Sequence, residues 1–348
     1  VPRLVDSLFS QSKHHTSTGN ASKGFAVLVS MAQVTHTKGL DPHECTVHDL
    51  LSTGSIEKTK DKKKNPRRFY AYLNRKTKST AVGPLCRNGE TISDDTKMTE
   101  IFNECFASVF GTDDGTTFSP PPSVFNGDKE NSLSTVEISP DVVHKKLKEL
   151  NPASAPGPDG IHPRLLKECS VELSIPLSII FQMSLTAGVL PQEWKQTNIT
   201  PIFKKGKRNM PENYRPINLV SVPCKVLESI LKDSIMNHLL SNNLISRSQH
   251  GFMPGRSCTT NLLEYLNQVT KAIDQGHSYD VIMLDYQRAF DLVPFRKMLA
   301  KVSSHGITGK VLNWIENWTM GRKQRCVLNG KHSTWRDVTS SVVQGSVL

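Results

Sequence analysis

The chain has 348 residues, 37% of them hydrophobic, and a formal net charge of +11. That length suits two domains or one large domain with an appendage, and that apolar share excludes wholesale disorder. The positive balance points to a polyanionic partner; a membrane span is excluded, because the longest mostly apolar stretch, Leu173 to Leu185, is short and contains a proline.

Residues 1–55 are rich in Ser, Thr and His, show little periodicity, and read as a poorly structured segment with a short helix near Phe25–Met31. His43-Glu44-Cys45 with His48 lacks a second ligand pair and reads as a polar loop rather than a metal site. A basic helical segment over 56–112 follows. Its run Lys58 to Lys78 holds Phe69, Tyr70 and Tyr72, the mixture of cations and flat rings that a single nucleic-acid strand needs. The equal alternative is a solvated amphipathic helix. Ser93 or Asp94 caps a further helix whose apolar side is Met98, Ile101, Phe102, Cys105, Phe106 and Val109. Residues 113–134 form a polar linker containing Pro and Gly.

From 135 to 348 the pattern is orderly. Ser139-Pro140 opens a helix with Val142, Val143, Leu147 and Leu150 inward. After the stiff turn at 151–160, helical periodicity runs over Pro163–Thr186. Asn198–Phe203 and Asn213–Val220 read as strands, and Lys225–Leu240 and Thr259–Ile273 as amphipathic helices. Tyr279–Leu284 reads as a buried apolar strand, Pro294–Val302 and Lys310–Met320 as helices, and Asn329-Gly330 as a hairpin turn. The class is α+β rather than a regular βαβ alternation. The seven cysteines include no C-x-x-C pair, which suits a reducing interior and argues against a disulfide framework.

Asp285 follows the apolar run Val281-Ile-Met-Leu284, so its carboxylate is expected at the rim of a sheet, where a divalent cation could be held. An Asp in that position is more often a turn or a cap, and the spacing to Asp291 does not change this. The surrounding motifs do. Asn151-Pro-Ala-Ser-Ala-Pro-Gly-Pro-Asp-Gly-Ile161, Trp194 with Ile199-Thr-Pro-Ile-Phe-Lys-Lys-Gly206, Asn213-Tyr-Arg-Pro-Ile217, His250-Gly-Phe-Met-Pro-Gly-Arg-Ser257, Leu284-Asp-x3-Ala-Phe-Asp291 and Gln344-Gly-Ser-Val-Leu348 occur in this order. In order and spacing they resemble the reverse transcriptases of non-LTR, jockey-like retrotransposons. The resemblance is dense over 135–348 and thinner over 65–110.

The resemblance implies a right-hand polymerase, with fingers and a partial palm over 135–348, acting on an RNA template, a DNA primer and dNTPs. Asp285 would be the first catalytic aspartate and a ligand of Mg2+ (or Mn2+) in a two-metal transfer. Phe290 would wall off the sugar 2′ side. Lys204, Lys205 and Arg215 would meet the triphosphate, and Gln344 would lie beside the incoming base. Arg256 would face the template, and Lys62, Lys63, Lys64, Arg67 and Arg68 would grip nucleic acid. The Pro156–Gly160 turn reads as structural. A working element of this kind would act at nuclear chromatin.

The family's second carboxylate pair, in an x-Asp-Asp hairpin, is expected beyond Leu348, so this chain alone is expected to be inactive. Met253, Ser341 and Val343 also depart from the family pattern. Two alternatives to catalysis stand: a nucleic-acid-binding fragment, or a relic of an element.

Overall fold

The computed structural model describes residues 82–111, 118–286, 288–342 and 345–348. The helix expected at Phe25–Met31, the His43–His48 stretch, the basic run at 58–78 with Lys62, Lys63, Lys64, Arg67 and Arg68, and Gln344 lie outside these residues.

Strands β1 (Leu85–Arg87) and β2 (Glu90–Ile92) pair antiparallel across Asn88-Gly89, both at positive φ. Helix α1 (Asp95–Ala107) starts at Asp94, whose carboxylate accepts the Lys97 N–H at 2.8 Å. The other end of the hairpin signal is also realised. Asn329 and Gly330, at φ 48° and 77°, join β5 (Lys323–Leu328) to β6 (Lys331–His332), and β7 (Arg336–Asp337) pairs with β5 as well. Between these segments lie α2 (Pro140–Glu149), α3 (Pro163–Glu168), α4 (Ser170–Ala187), β3 (Gln196–Phe203), β4 (Tyr214–Val220), α5 (Val222–Ser241), α6 (Cys258–Asp274), α7 (Phe295–Ser304) and α8 (Gly309–Thr319). The architecture is α+β.

The main sheet has the order β4-β3-β5-β6. β3 and β4 run antiparallel from Thr197 opposite Val220 to Phe203 opposite Tyr214, while β3 and β5 run parallel from Gln196 opposite Lys323 to Ile199 opposite Cys326. Pro201 faces Pro216, and neither can donate a ladder bond. They are tolerated because the parallel ladder with β5 has ended by Ile199 and β4 is an edge strand.

Helix α1 covers this sheet, and Met98, Ile101, Phe102 and Phe106 pack with Leu85, Ile199, Tyr214, Cys326 and Leu328. A larger, mainly helical core joins α2, α4, α5 and α8 around Trp194, Phe181 and Trp314. α4 is long and apolar enough to cross a membrane by composition alone, but 56% of it is buried in that core. Segment 118–134 is irregular and lies on the turn between α7 and α8: Val124 N–H donates to Ser304 O at 2.8 Å, and Leu133 N–H to Gly306 O at 2.8 Å.

Two expectations are corrected, and one helix that forms as expected proves more exposed than its pattern suggests. The strand expected at Tyr279–Leu284 does not form; Ile282, Met283 and Leu284 are more than 80% exposed. An apolar strand needs paired neighbours and covered faces, and no described strand pairs with this one. α6 is amphipathic as expected but buries no residue, leaving Leu262, Leu263, Leu266 and Ile273 in solvent. In α2, Val143 and Leu147 are buried, whereas Val142 points outward, because it lies one residue off the stripe that faces α4.

The two helices with apolar faces, α1 and α6, should therefore respond differently to truncation. Phe102→Ala removes a fully buried ring and is expected to cost about 3–5 kcal/mol. Leu266→Ala on α6 is expected to cost under about 0.5 kcal/mol. Urea unfolding of both variants measures the contrast; equal losses would mean that α6 is packed.

Candidate nucleotide and nucleic-acid site

Among the described residues, the β3–β4 hairpin gathers the expected cationic site residues Lys204, Lys205 and Arg215. Its connection, Lys204-Lys-Gly-Lys-Arg208, leaves all four cations exposed. The turn is nevertheless fixed from within. Lys204 N–H donates to Asn213 O at 2.8 Å, the Asn213 amide donates to Lys207 O at 2.9 Å, and the Tyr214 hydroxyl donates to Arg208 O at 2.7 Å. Gly206 has φ +88°, and a Cβ there would lie 2.7 Å from the Asn213 side chain, so only glycine fits. The Arg208 guanidinium stacks over the Phe203 ring at 4.6 Å, and Asn209 O accepts the Cys86 N–H at 2.8 Å. Burial pushes the Tyr214 phenol above its ordinary pKa, against a smaller pull downward from Arg208.

Arg215 follows Tyr214 on β4, opposite Ile202, and is exposed. Lys204, Lys205 and Arg215 are thus brought together on one hairpin. The opposite end of β4 receives two further motifs. Gly157 of the Pro156–Gly160 turn sits so close to the Val220–Ser221 backbone that a Cβ would fall 2.5 Å from it. Gly345, at φ +97°, lies against Asn218, where a Cβ would meet the carbonyl oxygen at 2.7 Å. Asn218, which Gly345 meets, lies three positions along β4 from Arg215.

The segment before Gln344 is tied to the region of Phe290. Val342 N–H donates to Phe290 O at 2.9 Å, Ser341 N–H to Val293 O at 3.2 Å, and the Ser340 hydroxyl to Asp291 O at 2.6 Å. Phe290 itself is 44% exposed and meets Phe252 edge-on at 6.2 Å. Its ring is not buried in a core, and the neighbouring apolar run Ile282-Met-Leu284 lies in solvent.

Asp285 is exposed, in a segment that is neither helix nor strand. Asp291 is partly buried, and burial raises its pKa against an opposing pull from Arg288. Among the described residues no group of three His, Cys, Asp or Glu side chains could hold a metal ion. A two-metal centre does not fit the donor set around Asp285, and no chemical step is derived through one.

The Arg256 guanidinium donates to Arg247 O and to Gln249 O at 2.9 Å and so closes its own loop. His250 completes the clasp, with Nε2 2.7 Å from a Glu264 carboxylate oxygen and Nδ1 2.9 Å from the Thr260 hydroxyl. The hydrogen bond from His250 holds the Glu264 carboxyl below its ordinary range.

Two acidic residues at this end of the molecule were not singled out by sequence. Asp159, in the Pro156–Gly160 turn, is half-buried, and burial raises its carboxyl above the ordinary value despite hydrogen bonds from Ser221 and the Ile161 N–H. Glu228 on α5 is wholly buried. The available signal for Glu228 was a lone carboxylate within the apolar run Val226-Leu-Glu-Ser-Ile-Leu231.

Residues 202–348 match the family described as reverse transcriptase (RNA-dependent DNA polymerase). The chain is 26% identical over 218 residues to the probable RNA-directed DNA polymerase from transposon BS of Drosophila melanogaster, covering 62% of this chain and 24% of that protein. It is equally similar, 26% over 218 residues with the same coverage, to the RNA-directed DNA polymerase from mobile element jockey of Drosophila funebris. Against the Pol polyprotein from type-1 retrotransposable element R2 of Popillia japonica the identity is 27% over 162 residues, 47% of this chain and 22% of that one. Residues 202–348 therefore carry a reverse transcriptase domain. The relatives it resembles include the RNA-directed DNA polymerases of transposon BS, mobile element jockey and transposon X-element. The chain spans about a quarter of the length of the curated relatives it matches.

The raised Asp159 carboxyl has a pH consequence. Ionising it costs more in the folded than in the unfolded chain, so its penalty is present above the raised folded pKa and absent below the ordinary carboxylate value. Asp159→Asn is expected to be more stable than wild type at pH 7, with the difference closing as pH falls through the carboxylate range. A difference in melting temperature that stays constant from pH 7 to pH 3 would contradict this.

Proposed function

We propose that this chain contributes the nucleotide-facing and template-facing part of an RNA-directed DNA polymerase, with β3, β4 and their basic turn as the fingers. The observation that carries it is the convergence on one hairpin of Lys204, Lys205 and Arg215 at one end and the Gly345 segment at the other. Exposed cations held close on an internally hydrogen-bonded turn must face solvent or a polyanion, and a polyanion between them relieves their mutual repulsion. A triphosphate or a nucleic-acid backbone supplies that charge, and a residue beside Gly345 would lie on the base side.

On this reading 135–348 corresponds to fingers and a partial palm, Phe290 faces the sugar, and RNA template, DNA primer and dNTP are the partners. Mg2+ or Mn2+ belongs to the same reading through Asp285. A lone exposed carboxylate provides too few hard oxygens to hold a pair of divalent ions. We therefore expect the 348-residue chain to bind an RNA–DNA hybrid without extending its primer. The exposed position of Asp285 favours this binding-only behaviour over catalysis by the chain itself.

Fluorescence anisotropy with a labelled hybrid tests the binding arm. Lys204→Glu with Lys205→Glu and Arg215→Glu is expected to weaken binding by about tenfold or more, with a salt slope lower by roughly 2. Asp285→Asn is expected to bind as wild type does. Unchanged affinity in the triple variant would sink the assignment of the hairpin. Primer extension with Mg2+ or Mn2+ above an Asp285→Asn control would sink the expectation of inactivity.

A further inference from the structure

A buried carboxylate is expensive unless each lone pair is partnered, and Glu228 is 1% exposed. Its two oxygens face different parts of the chain. Oε1 accepts the Trp318 indole N–H at 3.0 Å and the Cys224 thiol at 3.2 Å, both within the helical core. Oε2 accepts the backbone N–H of Val347 at 2.8 Å. Arg322, 2% exposed, lies in the same interior and supplies positive charge. Its guanidinium donates to Trp318 O at 3.1 Å and to the Thr197 hydroxyl at 3.3 Å, and it stacks on Trp318 at 5.2 Å. Trp318 is thus held by both buried charges, and one carboxylate oxygen remains for a backbone amide outside the core.

That amide lies three residues after Gln344. On the near side, Gly345 is pressed on Asn218 of β4. On the far side, Val342 is bonded to Phe290 O. The Val347 contact closes a third point, and it is the one that reaches a charged group. We propose that Glu228 is a positioning residue that fixes, through the Val347 N–H, residues 345–348 against the β3–β4 hairpin. This inference rests on the nucleotide-binding reading of that hairpin for its purpose, though not for its geometry. A mere core carboxylate would be satisfied by donors of the core alone; here one of its three hydrogen bonds, the one to Oε2, is spent on a segment near the proposed nucleotide.

Hydrogen exchange followed by mass spectrometry on the 348-residue chain tests it. Glu228→Gln is expected to speed exchange over 341–348 by about tenfold, the loss of one charge-assisted hydrogen bond, with α5 and α8 unchanged. Val347→Pro removes the donor without touching the core and is expected to loosen 341–346 to the same degree. The double variant is expected to be no looser than either single one. Wild-type exchange rates in Val347→Pro, or a double variant whose acceleration is the product of the two, would overturn the proposal. Should Glu228→Gln fail to fold, Val347→Pro decides alone by the presence or absence of that acceleration. Adding a hybrid and the complementary dNTP is a separate arm: lack of protection over 341–348 would count against the nucleotide reading while leaving the anchor measurement intact.

Discussion

Tyr214 joins the sheet core to the exposed basic turn Lys204–Arg208. Its ring lies in the packed layer under α1, edge-on to Phe102 at 4.9 Å and to Phe203 at 5.5 Å, while its hydroxyl reaches out to hold Arg208 O at 2.7 Å. Each aromatic contact of this kind contributes about 0.5–1.5 kcal/mol beyond simple burial, and the hydrogen bond about 1 kcal/mol more. The consequence is geometric as well as energetic. A five-residue turn with four cations would otherwise spread its charges apart. Tied at Lys204, Lys207 and Arg208, it presents them from a fixed frame, as a phosphate site requires.

The opposite end of β4 carries a different burden. The Pro156–Gly160 turn, Ser221 at the start of α5, and Gly345 all crowd the backbone over 218–221, at distances only glycine permits at 157 and 345. Behind them lie Glu228 and Arg322, two charges taken out of water. Polar groups concentrated in this way cost stability, and each is retained with partners that reach across the chain: Trp318, Thr197 and Val347. The hairpin is thus braced at both ends, by aromatic packing at one and by a polar network at the other.

Much of the local structure was legible because its cause is local. Asp94, Ser139-Pro140 and Asn329-Gly330 announce two helix starts and a hairpin through capping and left-handed backbone chemistry, and all three form as expected. Asn88-Gly89 carries the same signal and was overlooked, because its strands are only three residues long. The period-2 pattern of β3 and β4 revealed the strands, while the parallel pairing of β3 with β5, more than a hundred residues away, has no local signature. The run Val281–Leu284 misled for the reciprocal reason: apolar β-propensity describes a surface that wants covering, and says nothing of whether the cover is there. The motifs led to Lys204, Lys205 and Arg215, which the fold does assemble. They could not reveal that Arg256 closes its own loop or that Glu228 reaches Val347, since both depend on where distant backbone groups come to rest.

The most direct measurement is photo-cross-linking of the 348-residue chain to an RNA–DNA hybrid carrying 5-iodouridine in the template, with the joined peptides identified by mass spectrometry. Cross-links confined to 203–217 and to the segment around Gly345 are the expected result. Cross-links concentrated on the outer faces of α2 or α7, with the hairpin unlabelled, would contradict the assignment of β3 and β4 as the surface that meets nucleic acid.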